Sequence, residues 1–133
     1  METKVIFAVI GLILIIVSLV VYLFKSQSTV SVDASDAGET VTLSKGDYLN
    51  VSLAGNLTTG YTWEMLPLDT SIITQRGEPI MKPDSKAIGS GGMITLKFQA
   101  VKTGQTQLKL IYHRPWEKGV EPVNTFEITI VVK

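Results

Sequence analysis

The sequence predicts one all-β domain behind a single N-terminal transmembrane helix. Two observations carry this prediction: an uncharged apolar run fills residues 5–24, and beyond about residue 40 apolar residues recur at every second position. The predicted organisation is a membrane anchor or uncleaved signal over residues 1–25, a polar tether over 26–39 and a β-sandwich over 40–133. The whole chain has 133 residues, which suits one domain of ordinary size.

The apolar run, VIFAVIGLILIIVSLVVYLF, is long enough to cross a bilayer. At about 1.5 Å per helical residue it spans the hydrocarbon core of roughly 30 Å, whereas a cleavable signal peptide normally has only about 7–15 apolar residues. Lys4 and Lys25 flank the run, so basic residues barely discriminate its orientation. We expect an uncleaved anchor with the domain extracytoplasmic, and secretion after cleavage is the alternative.

The strand prediction rests on runs that each have one apolar face. Residues 26–39 are small and polar and read as a tether that merges into a first short strand. The alternating positions that follow are Val41 and Leu43; Leu49, Val51 and Leu53; Ile94, Leu96, Phe98 and Ala100; Leu108 and Leu110; and Phe126, Ile128, Ile130 and Val132.

Turn residues separate these runs at 44–47, 56–60, 76–79, 89–92, 102–104 and 114–122. Seven or eight short antiparallel strands follow from this spacing. Because an open sheet with one apolar face must bury that face, the pattern predicts an immunoglobulin-like antiparallel β-sandwich, although the chain has no cysteine pair.

Composition excludes several functions. Removing Glu2, Lys4 and Lys25 leaves ten basic and eleven acidic residues, which argues against a nucleic-acid partner. The chain has no cysteine and one histidine, His113, so a nucleophilic enzyme is not expected. Asp33, Asp36 and Glu39 match no calcium loop and read as a solvated segment, and neither a metal nor another cofactor is predicted.

Three loops have unusual compositions. In NLTTGYTW, Gly60 permits a turn with positive φ, and Tyr61 and Trp63 share a strand face, with Trp63 expected in the core. The cluster Gly89-Ser90-Gly91-Gly92 would let a partner's backbone approach, although taken alone it is better explained as a flexible hairpin tip. In HRPWEKGVEP, Arg114 and Trp116 are residue types that dominate binding hot spots, while Trp116 covering the end of the core is the alternative.

Taken together in this order and spacing, the three loops resemble the chagasin family of cysteine-protease inhibitors. The resemblance covers residues 40–133 and implies a monomeric, non-enzymatic domain that binds a papain-like cysteine protease reversibly and without a covalent bond. It also implies that the loops occlude the active-site cleft, with the first loop at its centre. The implied protease-binding residues are Asn56, Leu57, Thr58, Thr59, Gly60 and Tyr61, then Gly89, Ser90, Gly91 and Gly92, then Arg114, Pro115 and Trp116.

The chain departs from the family pattern at Leu57, where a proline is usual. Proline would fix φ and would also forbid N-linked glycosylation. With leucine present, Asn56-Leu57-Thr58 matches the acceptor rule, as does Asn50-Val51-Ser52. A glycan on Asn56 would lie on the first loop and obstruct it.

A second hypothesis remains open from the sequence alone. The domain could be a non-inhibitory adhesion or cell-envelope module whose loops bind another surface or cap the sandwich. In that case loop substitutions would change thermal stability more than protease inhibition.

Overall fold

The computed structural model describes residues 2–24, 26–67 and 71–133. One helix, α1 (Glu2–Leu23), precedes the strands, and none of its residues is buried. By length and composition alone, α1 qualifies as a membrane span. The strands described are β1 (Thr29–Asp33), β2 (Thr40–Leu43), β3 (Tyr48–Gly55), β4 (Thr62–Met65), β5 (Ile73–Gln75), β6 (Ile80–Pro83), β7 (Gly92–Ala100), β8 (Gly104–His113) and β9 (Asn124–Val132).

The strands form two sheets. The first has the order β1-β3-β7-β5, with β6 also paired to β7, and the second has the order β2-β9-β8-β4. The predicted mostly β architecture with stacked sheets is therefore confirmed. The expectation of seven or eight strands was too low, because the model contains nine strands within the described ranges.

The core lies between the two sheets and matches the period-two pattern of the sequence. Strand β7 alternates buried and more exposed residues along its whole length, and β9 does so along most of its length. Both sheets contribute to one cluster of buried side chains, which has Phe98 and Leu49 on one side and Leu110 and Ile128 on the other. Trp63 is only 3% exposed and joins this cluster, as the sequence predicted.

The pairing is not entirely antiparallel, which corrects the sequence prediction. β1 pairs with β3 in parallel, and β2 pairs with β9 in parallel. The physical reason is that the chain runs up the first sheet in β1, down the second sheet in β2 and up the first sheet again in β3. β1 and β3 are parallel because the chain crosses the sandwich twice between them and reverses its direction each time. β2 and β9 are parallel because both run towards the end of the sandwich at which Leu43 is paired with Val132.

The segment predicted as a tether, residues 26–39, contains a strand and a short turn. Thr29–Asp33 forms β1, and residues 34–36 form a short 3-10 turn. The Asp33 side chain accepts hydrogen bonds from the Ser35 hydroxyl at 2.6 Å and the Ser35 backbone N–H at 2.8 Å, and these bonds lower the pKa of Asp33. Asp33 and Asp36 thus cap a turn. The polar composition of this segment hid a strand with only two apolar residues, Val30 and Val32.

The register places the connections at two opposite ends of the sandwich. Gly55 is paired with Gly92, and Thr62 is paired with His113, so residues 56–61, 89–91 and 114–116 lie at one end, called here the loop end. Tyr48 is paired with Gln99 at the other end, where residues 44–47 and 101–103 make turns. We call this the turn end.

Candidate functional site

The first loop at the loop end, residues 56–61, is held by its own polar groups. Asn56 caps a 3-10 turn at Leu57–Thr59, and its Oδ1 accepts from the Thr58 backbone N–H at 3.0 Å and the Thr58 hydroxyl at 2.6 Å. The Thr59 hydroxyl donates to the Asn56 carbonyl at 2.7 Å. Both threonines are exposed, yet their hydroxyl protons are committed within the loop. The loop therefore presents a compact, internally bonded tip.

Leu57 faces inward rather than towards solvent. Its side chain is half-buried and packs against the core, and its backbone N–H donates to the Met81 sulfur at 3.4 Å. A proline at this position could not make that donation. In this chain, packing of the leucine side chain contributes to fixing the loop where a proline ring would otherwise restrict the backbone.

The second loop is bonded directly to the first. The Asn56 side-chain Nδ2 donates to the Gly89 carbonyl at 2.8 Å, so one asparagine both caps its own turn and joins two loops. Gly89 has φ +78°, a left-handed conformation that favours glycine. The Ser90 backbone N–H donates to the Ala87 carbonyl at 3.2 Å.

Gly92 lies where the second loop meets β7. It is the first residue of β7, is buried, and pairs with Gly55 on one side and Pro83 on the other. A Cβ at this position would collide with the Lys82 backbone carbonyl. The lack of a side chain at Gly92 is therefore required for the close packing of β6 on β7.

The third loop closes over the first from the other side. The Arg114 Nε donates to the Thr59 carbonyl at 3.2 Å, and the guanidinium carbon lies 4.4 Å from the centre of the Tyr61 ring. The Arg114 Nη1 also lies 3.2 Å from a Glu117 carboxylate oxygen. Arg114 is therefore held by a carbonyl, an aromatic face and a carboxylate at once.

Trp116 packs its indole against the backbone of Gly60. Gly60 has φ +82°, and a Cβ there would collide with the indole ring. Trp116 nevertheless remains 63% exposed. Gly60 thus allows the backbone turn and also leaves room for the indole ring of Trp116.

Tyr112 contacts the first loop from β8, and it was not predicted from the sequence as a site residue. Its hydroxyl oxygen accepts from the Asn56 backbone N–H at 2.7 Å. Its ring centre lies 5.3 Å from that of Tyr61 and 5.2 Å from that of Trp63. The available signal was the position of Tyr112 two residues before Arg114, on the strand that leads into the third loop.

His113 is paired rather than poised for catalysis. Its Nε2 lies 2.6 Å from a Glu64 carboxylate oxygen across the β4–β8 pair. Within residues 2–24, 26–67 and 71–133, no group of three histidine, cysteine or acidic residues is arranged to hold a metal ion. What the loop end offers is a shaped surface made of backbone, hydroxyl and aromatic groups.

The two glycosylation triplets lie in different settings. Asn50 is in the middle of β3, opposite Ser31 on β1 and Lys97 on β7, so a glycan there would have to leave from within a paired sheet. Asn56 lies at the loop end, and a glycan on its Nδ2 would replace one N–H of the amide that joins the first two loops.

Comparisons with known proteins agree with this geometry. Residues 42–130 match the family model described as Chagasin family peptidase inhibitor I42. The chain is 32% identical over 95 residues to Amoebiasin-2 of Entamoeba histolytica, covering 71% of this chain and 77% of that protein. It is 28% identical over 85 residues to Chagasin of Trypanosoma cruzi, covering 59% of this chain and 76% of that protein.

A solved structure extends the likeness to three dimensions. The crystal structure of the cysteine protease inhibitor EhICP2 from Entamoeba histolytica superposes with a TM-score of 0.66 at 25% identity, covering 80% of this chain and 97% of that one. The family model alone matches more than half of the residues. On these grounds the chain belongs to the chagasin family of cysteine-protease inhibitors.

Proposed function

We propose that this inhibitor blocks the active-site cleft of papain-like cysteine proteases with the three loops of its loop end. Family membership makes the chain an inhibitor and not an enzyme. The observation that carries the proposed mode is the bonding between the loops. Asn56 is bonded to Gly89, Thr59 to Arg114, and Gly60 is covered by Trp116, so the loops form one continuous surface.

The first loop would enter the cleft, with Thr58 and Thr59 at its tip. Both residues lie in the 3-10 turn Leu57–Thr59, whereas a substrate must lie extended across the cleft to be cleaved. Both hydroxyl protons are donated inside the loop, and these bonds hold the turn in its compact form. Occlusion without cleavage follows from this shape.

The outer loops would contact the two walls of the cleft. Gly89, Ser90 and Gly91 present backbone with little side chain on one side, and Arg114, Pro115 and Trp116 present an exposed indole on the other. A large, partly exposed aromatic residue is typical of binding hot spots. Because the loops are already bonded to one another, binding would order few additional groups, which favours affinity.

We propose further that α1 anchors the chain in a membrane with the domain extracytoplasmic. The helix has 22 residues, is apolar throughout its centre and buries no side chain against the sheets. Secretion after cleavage is the alternative, and the intact mass of the protein purified from its cells separates the two. A mass short by about the first 25 residues would overturn the anchor.

Titration of papain with the full chain in detergent tests the inhibitory mode. We expect competitive, reversible inhibition that reaches completion at one inhibitor per enzyme, with the inhibitor recovered uncut. The variant Thr59→Trp should inhibit far less because the bulk lies at the tip of the central loop. Retained potency of that variant, or steady cleavage of the chain at residues 56–61, would contradict cleft occlusion by this loop.

A further inference from the structure

The direction of β1 fixes the end of the sandwich at which α1 joins the domain. β1 runs parallel to β3, with Thr29 opposite Tyr48 and Asp33 opposite Ser52. Since β3 begins at the turn end and finishes at the loop end with Gly55, β1 also begins at the turn end. The chain therefore enters the domain at the end away from the three loops.

The chain is already fixed to the turn end just before β1. The Ser28 carbonyl accepts from the Tyr48 backbone N–H at 2.8 Å, and the Ser28 N–H donates to an Asp47 carboxylate oxygen at 3.1 Å. The side-chain nitrogen of Gln27, Nε2, lies 3.8 Å from the position that a Cβ would take on Gly46. Contact with the turns thus begins at Gln27.

Few residues separate that contact from the helix. Only residues 24–26 lie between Leu23, where α1 ends, and Gln27. At about 3.5 Å per extended residue, the turn end stays within about 14 Å of the end of α1. By contrast, the eight residues of β3 place the loop end about 25 Å beyond the turn end. The linker between α1 and the turn end is therefore shorter than the distance between the turn end and the loop end.

Charge at the turn end suits a lipid surface. Lys45 and Lys102 are exposed on the two turns, and no ion pair is found for either among the residues that the structure covers. The Asp47 carboxylate accepts from the backbone N–H groups of Ser28 and Ser44, which offsets its negative charge. Exposed lysines close to a bilayer are attracted to anionic headgroups.

We propose that the anchored chain stands with its turn end against the lipid headgroups and holds the three loops about 25 Å farther from the bilayer. Its partners are then a headgroup surface below and a protease in the aqueous space above. This inference rests on the membrane anchor proposed for α1. It means that the anchored inhibitor captures soluble proteases without detaching from the membrane.

The full chain reconstituted into vesicles of phosphatidylcholine and phosphatidylserine tests the orientation. The chain has no cysteine, so a single dye can be attached to Thr103→Cys at the turn end or to Lys86→Cys beside the second loop. Both positions are exposed, and neither belongs to the proposed protease-binding set. Lipids with a nitroxide on the headgroup quench only dyes that lie near the surface.

We expect the dye at residue 103 to be quenched at least threefold more than the dye at residue 86, with papain still titrating one per chain on the vesicles. Equal or reversed quenching would overturn the orientation while leaving the inhibitory function intact. Release of the chain from vesicles by alkaline carbonate would overturn the anchor and the orientation together. Papain inhibition in detergent is independent of both results, so a failure of the inhibitory mode is recognised separately.

Discussion

The two ends of the sandwich are held together by different kinds of contact. At the loop end, side chains join the loops: the Asn56 amide bonds to Gly89, Arg114 bonds to Thr59, and Trp116 packs on Gly60. At the turn end, backbone bonds join the turns, as when the Lys45 N–H donates to the Lys133 carbonyl at 3.0 Å and the Gly46 N–H donates to the Ala100 carbonyl at 2.8 Å. Two side chains, Asp47 and Gln99, add bonds to backbone groups there. Specific residue types are therefore demanded at one end and far less at the other.

Equivalent substitutions at the two ends should have unequal effects on protease inhibition. The substitution Gly60→Val should weaken inhibition most. The new side chain would occupy the space of the Trp116 ring at a backbone position with φ +82°. We expect the inhibition constant for papain to rise at least about 100-fold, which corresponds to about 2.8 kcal/mol.

The matched control is Gly46→Val, at a backbone position with φ +95° in the turn end. A side chain in such a conformation costs roughly 1–2 kcal/mol of stability at either site. Both variants should therefore melt at lower temperature, and only Gly60→Val should lose inhibition. If Gly46→Val weakened inhibition equally, the loss would reflect stability alone, and the contrast between the ends would fail.

Trp116→Ala should give the next largest effect. The indole is 63% exposed, so its removal creates no cavity in the core, but it would take away the main aromatic surface of the third loop. An aromatic hot spot is worth about 2 kcal/mol or more, so we expect the inhibition constant to rise by about 30-fold or more.

Val120→Ala is the control for an exposed apolar side chain that follows the third loop and lies outside the proposed contacts. Its inhibition constant should stay within about twofold of the parent, since surface substitutions away from special features usually change little. Both proteins are to be measured with papain, together with their melting temperatures. A large drop in melting temperature for Trp116→Ala, with unchanged inhibition, would make the indole a cap of the sandwich instead.

The contrast also explains which parts of the structure could be predicted from sequence. β7 alternates along its whole length and β9 along most of its length, so both strands were predicted, and the three loops stood out in the sequence because of their unusual residue types. The position of β1 within residues 26–39 could not be read from the sequence, because the strand has two apolar residues and is held by its ladder with β3 and by the backbone bond between Ser28 and Tyr48. Backbone contacts place little restriction on residue type and so leave little trace in a sequence.

Tyr112→Phe should have a smaller effect than the loop substitutions, and it would show how the second sheet positions the first loop. The variant keeps the ring between Tyr61 and Trp63 but removes the oxygen that accepts from the Asn56 N–H. Losing one such hydrogen bond costs about 1 kcal/mol, so a rise in the inhibition constant of about fivefold is expected.

Tyr48→Phe, at the start of β3, makes the same chemical change at the turn end and should leave inhibition unchanged. Amide hydrogen exchange gives a readout of positioning: exchange at Asn56 should accelerate in Tyr112→Phe only. Unchanged exchange and inhibition in that variant would show that the hydroxyl has no positioning role.

Leu57→Pro should give the smallest effect, because two changes oppose each other. Proline restricts the unfolded chain and can stabilise by about 0.4–1 kcal/mol where the native φ allows it. It also removes the half-buried leucine side chain and the N–H donated to the Met81 sulfur. Leu57→Ala loses the packing but keeps the N–H donated to Met81, so the difference in unfolding free energy between the two variants is the gain from the proline restriction minus the loss of that bond. We expect Leu57→Pro to be less stable than the parent but more stable than Leu57→Ala, and to inhibit papain within about threefold of the parent, a change below about 1 kcal/mol. If Leu57→Pro were the less stable of the two, the loop would require the backbone N–H of residue 57, and the bond to Met81 would count for more than the restriction that proline imposes.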